Sequence, residues 1–307
     1  QQVLNGAEQY RNFFRDDQGT LYLLGIDPWH YYRMVSNVLE YGHQGTTFKD
    51  GQSWDMYFVA PEGRPAEKEF HAYFGAFWHR FMNLFGDYPL MYTFFFVGAI
   101  FSALSVIPAF FIGRRLTGNN VGGLFTALMI AVTQFFVSRT TGESSDTDVY
   151  VVFFPLLITW LFIEAFETKK NWWRYTSIIL AGLITGVFSS AWLGGWWYIF
   201  EFLIATIVLY LIYLLFIKEI IKQKSFKFNF AESIKSTEFR YAFVLVVIYV
   251  AVSSLSVILL QGWTIFYLGL LGPLSFLQLK SVAVDSLWPN IYTTVAELNT
   301  VAISSVI

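Results

Sequence analysis

The sequence has no cysteine and few charged residues. Lys and Arg together number 20 and Asp and Glu number 22, which gives a net charge of −2 over 307 residues. Without cysteine the chain has no disulfides, no thiolate metal site and no thiol catalysis. The near-neutral charge, with no basic face that recurs along the chain, gives no indication of a nucleic-acid partner. Charged residues make up only 14% of the chain, well below the roughly 25% of an ordinary soluble domain.

Apolar residues, by contrast, are abundant and occur in long runs. They form 55% of the chain, and aromatic residues alone form 20%. A helix of about 20 apolar residues crosses a hydrocarbon core of roughly 30 Å. The runs that approach this length are 90–112, 119–138, 149–167, 174–190, 195–217 and 241–260. The sequence therefore predicts an all-α polytopic membrane protein.

The loops between the predicted spans alternate in charge. Clusters of basic residues lie at Arg114–Arg115, at 169–174 and at 218–240. The positive-inside rule places these loops in the cytoplasm. The remaining loops, including the acidic loop 139–148, are then external.

The same rule divides the chain into three parts. Residues 1–88 form an external first loop, 89–280 a transmembrane helical bundle, and 281–307 an external loop that leads into a further segment. The last boundary depends on the apolar stretch 263–279, which contains two glycines and a proline. If that stretch crossed the membrane, the following residues would be cytoplasmic. A re-entrant or interfacial segment, or a pair of short spans, would leave them outside.

The first loop contains all four histidines and no run long enough to span a membrane. Asp27-Pro28 is a typical helix start, and the pattern predicts a helix that ends near Gly42. Aromatic residues recur at helical spacing from Phe70 to Phe81, which predicts an amphipathic helix in the membrane interface. The histidines have no spacing typical of metal ligands, and we expect them to be interfacial polar groups.

Acidic residues mark three places in the loops predicted to be external: Asp27, the pair Asp146 and Asp148, and Glu297. Each has a structural interpretation, since Asp27 suits a helix N-cap, the pair suits the cap of the third span, and Glu297 suits a solvated loop. Taken together, carboxylates from separate segments on one side of the membrane supply hard oxygen ligands. Such ligands suit Mg²⁺ or Mn²⁺ better than zinc.

Three motifs, in order, carry a resemblance to a known family. Gly25–Arg33 contains an Asp-Pro-aromatic stretch that leads to Tyr-Arg. Ser138–Asp148 begins with Ser-Arg-Thr, continues through a Gly and ends with Asp-x-Asp. Trp288–Asn299 contains Thr-x-x-Glu. Together they resemble the catalytic subunit of oligosaccharyltransferases of the archaeal type, which glycosylate asparagine.

The resemblance implies a fold, a reaction and a set of residues. The fold is a GT-C type glycosyltransferase transmembrane domain with a large external first loop, in the cell membrane, with the active site on its external face. Asp27, Asp146, Asp148 and Glu297 would hold Mn²⁺ or Mg²⁺, and Asp27 and Glu297 would also bind the acceptor amide. The reaction is an inverting transfer of an oligosaccharide from dolichol phosphate or pyrophosphate to the asparagine of Asn-x-Ser/Thr.

The chain also departs from the family pattern at both ends. It begins inside the first loop, without the preceding transmembrane helix, and it ends ten residues after Glu297. The family's C-terminal globular domain carries a Trp-Trp-Asp-Tyr-Gly motif that binds the acceptor Ser or Thr. We therefore expect this chain to be a fragment of a longer protein, with sequon recognition in another part.

Other functions are compatible with parts of the pattern. A GT-C enzyme that uses another polyprenyl-phosphate sugar, such as a protein O-mannosyltransferase, should lack a counterpart of Thr294–Glu297. A transporter or flippase needs polar residues along a path through the spans, where Glu164 and Glu201 are almost the only ionisable residues. A non-catalytic scaffold would make the four acids a coincidence. The sequence favours the oligosaccharyltransferase.

Overall fold

The computed structural model describes residues 13–15, 19–58, 60–66, 68–218 and 230–271. Glu297, the Thr-x-x-Glu motif and the predicted final loop lie outside the described residues. Within them the chain is mainly helical, as predicted. The helices of the first loop and of the bundle share one continuous apolar core.

The first helix, α1 (Asp27–Tyr41), has the predicted limits. Pro28 lies in its first turn, where its missing amide hydrogen and fixed φ are tolerated. At its end Gly42 adopts φ 79° and donates its N–H to the Val38 carbonyl, a left-handed C-cap that glycine allows without a steric penalty.

A small antiparallel sheet follows α1 and was not predicted. Its strands, in spatial order, are β1 (Thr47–Lys49), β2 (Gln52–Asp55) and β3 (Arg64–Pro65). Asp50 and Gly51 form the β1–β2 turn, both with positive φ, as a two-residue hairpin turn requires. The strands are two to four residues long, which is too short for an alternating pattern to stand out in the sequence.

An ion pair joins this sheet to α1. The Arg33 guanidinium donates two hydrogen bonds to the Asp55 carboxylate, at 2.8 and 2.6 Å. Asp55 is only 2% exposed, and the paired geometry is the one in which Arg and a carboxylate bind most strongly. The sheet and α1 are therefore held together as one unit.

Helix α2 (Phe70–Met82) confirms the predicted amphipathic helix. One face, with His71, Ala72, Gly75 and Ala76, is buried, and the other carries exposed aromatic rings. A Cβ at Gly75 would lie 2.7 Å from the side chain of Val35. Glycine is therefore needed where α2 approaches α1 this closely.

The bundle contains a helix for each predicted span. The helices are α3 (Leu90–Phe95), α4 (Val97–Thr117), α5 (Asn120–Val132), α6 (Gln134–Arg139), α7 (Tyr150–Glu167), α8 (Asn171–Ala191), α9 (Trp197–Ile212), α10 (Phe230–Lys235), α11 (Thr237–Gln261) and α12 (Trp263–Leu270). Helix α9 continues as one π-helical segment, Tyr213–Ile217.

Among the described residues, four segments are long and apolar enough to cross a membrane: Leu90–Thr117, Thr147–Glu167, Trp197–Ile217 and Thr237–Gln261. These match four of the predicted spans. The second predicted span is broken at Thr133 into α5, a shorter apolar helix, and α6. The fourth is α8, a 21-residue helix whose apolar residues are interleaved with small and hydroxyl residues.

Small side chains let α8 pack closely against its neighbour α11. A Cβ at Gly182 would lie 2.8 Å from Val252, and one at Gly186 would lie 2.4 Å from Ser256. Beside these glycines the buried Thr185 and Tyr249 hydroxyls are 3.1 Å apart. Such close contacts of small and hydroxyl residues are typical of membrane helix interfaces.

A buried carboxylate ties the C-terminal ends of α4 and α7 together. Arg115 donates to the two oxygens of Glu164 at 2.7 and 2.5 Å. The indole nitrogens of Trp160 and Trp173 donate to the same carboxylate, each at 3.3 Å. Glu164 is thus fully paired, as an acid buried in a membrane bundle must be.

The stretch 263–279 begins with α12, which is separated from α11 by Gly262 at φ 90°. Eight helical residues rise only about 12 Å. Within the described residues this stretch therefore does not cross a membrane, and its remainder lies outside them.

Candidate active site

The second acidic motif forms the connection between α6 and α7. Two short 3₁₀ turns, Gly142–Ser144 and Thr147–Val149, fold it over the ends of the helices. Asp146 is the N-cap of the second turn, and its Oδ1 accepts from the Thr147 backbone N–H at 2.5 Å and from the Thr147 hydroxyl at 3.2 Å. The capping interpretation is therefore correct for Asp146. Both recorded bonds use one oxygen, so capping leaves Oδ2 for another partner.

Asp146 lies in an environment that disfavours its negative charge. Burial raises the pKa of its carboxyl to about 6, against the opposing effect of the Thr147 N–H, and the charges of Asp148 and Asp27 raise it further. The charge of Asp27 thus acts on the carboxyl of Asp146, although the two acids come from separate segments. This observation brings the first and second predicted motifs together.

Asp148 has a different setting, on the side of the motif that faces α6. Its Oδ2 lies 3.4 Å from Nη1 of Arg139 at the end of that helix, and each side chain is nearly half exposed. An exposed pair at this distance contributes only about 0.2–1 kcal/mol. The interaction is therefore weak enough to be exchanged for another partner.

Asp27 is exposed and is the first residue of α1 rather than its N-cap. The cap position is Ile26, and no side chain caps this helix end. The expectation that Asp27 serves as an N-cap is therefore wrong, because the chain enters the helix one residue earlier. One turn further, the Tyr31 hydroxyl lies 3.5 Å from the Thr147 hydroxyl. That contact links α1 to the second acidic motif.

A cavity of about 480 Å³ opens beside Arg139 and Asp148. Its walls are otherwise mainly apolar, with Phe135, Phe136, Ile130, Val152 and Trp192 among the lining residues. It therefore has one charged edge next to the acidic motif and an apolar body between α5, α6 and α7.

A second, smaller cavity of about 60 Å³ lies on the other side of the motif. Tyr31 and Thr147 line it together with Lys68, Trp192 and Gln261. These residues come from the first loop, from the second acidic motif and from the C-terminal ends of α8 and α11. Trp192 lines both cavities. The sequence did not indicate this position, because one tryptophan in a chain rich in aromatic residues carries no local signal of a site.

The four histidines do not behave alike. His43 contacts the Ser53 hydroxyl and His79 the Thr93 hydroxyl, each at 2.9 Å. His71, in contrast, is fully buried and lies 2.7 Å from the Tyr150 hydroxyl. The expectation of an interfacial position is wrong for His71, because the helical spacing turns it to the inner face of α2.

The described part of the chain contains no group of three or more His, Cys, Asp or Glu residues arranged to hold a metal ion. Glu297, the fourth predicted ligand, lies outside that part. The residues present are oxygen donors of the kind that hard divalent cations prefer. A cation beside Asp146 would also stabilise the charged form of its carboxyl, whose pKa is raised by burial and, less strongly, by the neighbouring acids. The donor chemistry therefore fits such an ion.

Comparison with known proteins identifies the family. The family model described as "Oligosaccharyl transferase STT3, N-terminal" matches residues 1–307. A dolichyl-phosphooligosaccharide-protein glycotransferase of Methanococcus voltae is 32% identical over 314 residues, an alignment that covers 98% of this chain and 34% of that relative. The chain thus spans about a third of the length of this curated relative.

Solved structures of an archaeal oligosaccharyltransferase share the fold. The Archaeoglobus fulgidus AglB complex with an inhibitory peptide and a dolichol-phosphate matches with a TM-score of 0.56 and 18% identity, over 86% of this chain and 32% of that one. The complex of the Archaeoglobus fulgidus enzyme with Zn and sulfate matches with a TM-score of 0.57 and 18% identity, over 86% and 34%. The predicted GT-C type membrane fold is confirmed, and the chain belongs to the oligosaccharyltransferase STT3 family.

Proposed function

We propose that the full-length protein transfers an oligosaccharide from a dolichol-linked phosphate or pyrophosphate to the amide of asparagine in Asn-x-Ser/Thr. This chain would form the membrane part of its active site. The observation that carries the proposal is the contact between the Tyr31 and Thr147 hydroxyls, which joins the first motif to the second. Asp148 of the second motif lines an apolar cavity, and the chain belongs to the STT3 family.

The larger cavity suits a lipid-linked donor. Its apolar body can take part of a polyprenyl chain, and Arg139 at its edge can bind a phosphate. Arg binds phosphate strongly through paired, charge-assisted hydrogen bonds, and such a bond would replace the weak contact with Asp148. A dolichol-phosphate is bound in the related archaeal structure, which supports a donor of this class.

A divalent cation, Mn²⁺ or Mg²⁺, would be held by Asp27, Asp146, Asp148 and Glu297. When bound, it would supply Lewis-acid stabilisation of the charge on the departing phosphate. The related structure with Zn and sulfate supports a metal and an oxyanion in this family. The carboxylates, as hard ligands, favour Mn²⁺ or Mg²⁺.

The acceptor amide needs help from the protein because conjugation with its carbonyl makes its nitrogen a poor nucleophile. Asp27 and Glu297 would accept hydrogen bonds from its NH₂ group and hold the nitrogen towards the sugar. Attack from the side opposite the phosphate inverts the anomeric centre. The exposed position of Asp27 at the start of α1 leaves room for a polypeptide acceptor.

The site would lie on the external face of the cell membrane. Arg114 and Arg115 lie in the last turn of α4, at the end opposite the acidic motif, and α7 runs from that motif towards the basic residues 169–174. The positive-inside rule assigns those basic ends to the cytoplasm. The family match also favours this function over an O-mannosyltransferase or a transporter.

Activity of the full-length protein tests the proposal. A fluorescent Asn-x-Thr peptide is incubated with the native lipid extract, first with Mn²⁺ and then with EDTA. We expect transfer that stops in EDTA and resumes with metal. Absence of transfer in both conditions, with folded protein and intact donor, would contradict the proposed function.

A single substitution tests the site. We expect Asp146→Asn to lower kcat/KM at least 100-fold, which corresponds to about 2.7 kcal/mol of transition-state stabilisation. Asp50→Asn is the matched control, since it makes the same change at an exposed turn whose positive φ asparagine readily adopts. Near-normal transfer by Asp146→Asn would exclude the role of this acid.

A further inference from the structure

His71 occupies a position that the proposed reaction does not explain. It belongs to α2, in the first loop, yet its fully buried ring lies between α1 and the second acidic motif. Its ring centroid is 5.0 Å from that of Tyr31, with the rings near perpendicular, and 5.3 Å from that of Phe94. It is also 5.5 Å from that of Tyr150, directly after the second motif, so the ring contacts both segments that carry the proposed catalytic acids.

Two polar contacts of His71 bracket the acidic motif. Its Nδ1 is 2.7 Å from the hydroxyl of Tyr150, two residues after Asp148. The backbone of Ser145, directly before Asp146, also acts on the ring, since it raises the pKa of His71 against the larger lowering by burial. The other nitrogen, Nε2, is fully buried and has no hydrogen bond of ordinary geometry within the described residues.

These contacts favour one form of the imidazole. Burial lowers the pKa of His71 to about 3, so the ring is neutral at physiological pH and has one N–H. Nδ1 and the Tyr150 hydroxyl share one hydrogen bond, in which the donor follows from the tautomer of the ring. Ser145 is fixed in turn, because its buried hydroxyl donates to the Phe94 carbonyl at 2.9 Å. The ring therefore holds the end of the acidic motif through Tyr150, and its start through Phe94, whose ring it contacts and whose carbonyl accepts from Ser145.

The ring also controls where α1 lies. The Tyr31 ring packs against His71 in a T-shaped contact, and the Tyr31 hydroxyl lies near that of Thr147. Tyr31 is one helical turn after Asp27, so a displacement of Tyr31 moves Asp27 with it. His71 thus sets the separation between the acid of α1 and the acids of the second motif.

From this geometry we infer that His71 is a positioning residue, which holds Asp27 in register with Asp146 and Asp148 through Tyr31, Ser145 and Tyr150. The inference rests on the proposed function only for the roles of the three acids. It requires no change of charge on His71 and no contact between His71 and the substrate.

Kinetics of the full-length protein give the first test. His71→Phe keeps the ring volume and removes both polar contacts, and Tyr150→Phe removes one hydroxyl. We expect each to lower kcat about 10-fold while the KM for the lipid donor changes less than 2-fold, because the cavity beside Arg139 is intact. The double variant should be no slower than the slower single variant, since both changes break the same link.

Two further variants separate positioning from stability. His71→Asn places an amide oxygen where Nδ1 lies and should recover part of the kcat lost in His71→Phe. Tyr249→Phe is the matched control, because it removes an equally buried hydroxyl, 3.1 Å from that of Thr185, far along the bundle. It should keep kcat within 2-fold. An equal loss of kcat in this control would overturn the inference, because general destabilisation would then explain the effect.

A measurement without turnover keeps the inference independent of the proposed reaction. After replacement of any cysteine elsewhere in the full-length protein, spin labels are attached at Ile26→Cys, beside Asp27, and at Ser144→Cys, beside the motif. We expect His71→Phe and Tyr150→Phe to broaden the distance distribution at least 2-fold and Tyr249→Phe to leave it unchanged. If His71→Phe does not fold, the milder Tyr150→Phe decides. An unchanged distribution overturns the inference even if the protein is an active transferase, and a broadened one supports it even if transfer is never found.

Discussion

Removal of the Glu164 carboxylate should destabilise the membrane bundle strongly. Its two oxygens receive four hydrogen bonds, two from Arg115 and one each from Trp160 and Trp173. Glu164→Gln keeps the shape of the side chain, but it replaces one acceptor oxygen with an NH₂ group. That group would face the N–H donors of the neighbouring side chains and could not accept from them. The bundle would then contain a guanidinium whose counter-charge has been removed.

The size of the effect follows from how much of the pair is buried. Breaking one partner of a buried ion pair costs roughly 3–5 kcal/mol. Side-chain exposure is 7% for Glu164 but 39% for Arg115, so water can solvate part of the freed guanidinium. We therefore expect the lower end, a loss of about 3 kcal/mol in the free energy of unfolding.

The assay is denaturant or thermal unfolding of the purified protein in detergent, followed by tryptophan fluorescence. Arg115→Met with Glu164→Gln should be more stable than Glu164→Gln alone, because no unpaired charge is left. Glu238→Gln, which breaks the much more exposed pair with Lys218, should change stability by less than about 1 kcal/mol. If Glu164→Gln costs no more than Glu238→Gln, or if the double variant is the least stable, the reasoning is refuted.

Two further predictions concern the helix contact in the first loop and the charged edge of the cavity. Gly75→Ala should lower the free energy of unfolding by about 1–3 kcal/mol, because the new methyl group would lie 2.7 Å from Val35. Adding Val35→Ala should recover most of the loss, and unfolding curves of the single and double variants check this. Arg139→Gln should raise the KM for the lipid donor about 10-fold with a smaller change in kcat, and donor titration at saturating peptide would contradict this if the KM stayed constant.

The helices could be predicted from the sequence because their signals are long. The apolar runs in Leu90–Thr117 and in Thr237–Gln261 are each long enough, as helices, to cross a membrane. Helix α1 carries both a start signal, Asp27-Pro28, and an end signal, Gly42. Helix α2 was recognisable from the spacing of its aromatic residues. In each case one stretch of chain contains all the information needed.

The rest depends on contacts between distant parts of the chain. The pairing of Arg33 with Asp55 and the position of His71 against Tyr150 join residues 22 and 79 positions apart, so no local pattern reports them. For the same reason the joint environment of Asp27 and Asp146 could be predicted only from the resemblance to a family. The sheet was missed because its strands are too short to form a pattern.

The hairpin turn at Asp50-Gly51 offers a place to enlarge the protein for imaging. Strand β2 spans about 13 Å from this turn to Asp55, which is fastened to α1 through Arg33. A short epitope inserted between Asp50 and Gly51 would project from the tip of the hairpin, while the fastened end stays in place. An antibody fragment bound to this epitope would be rigidly attached to the part of the first loop that carries Asp27. It would add recognisable mass beside the site for electron microscopy.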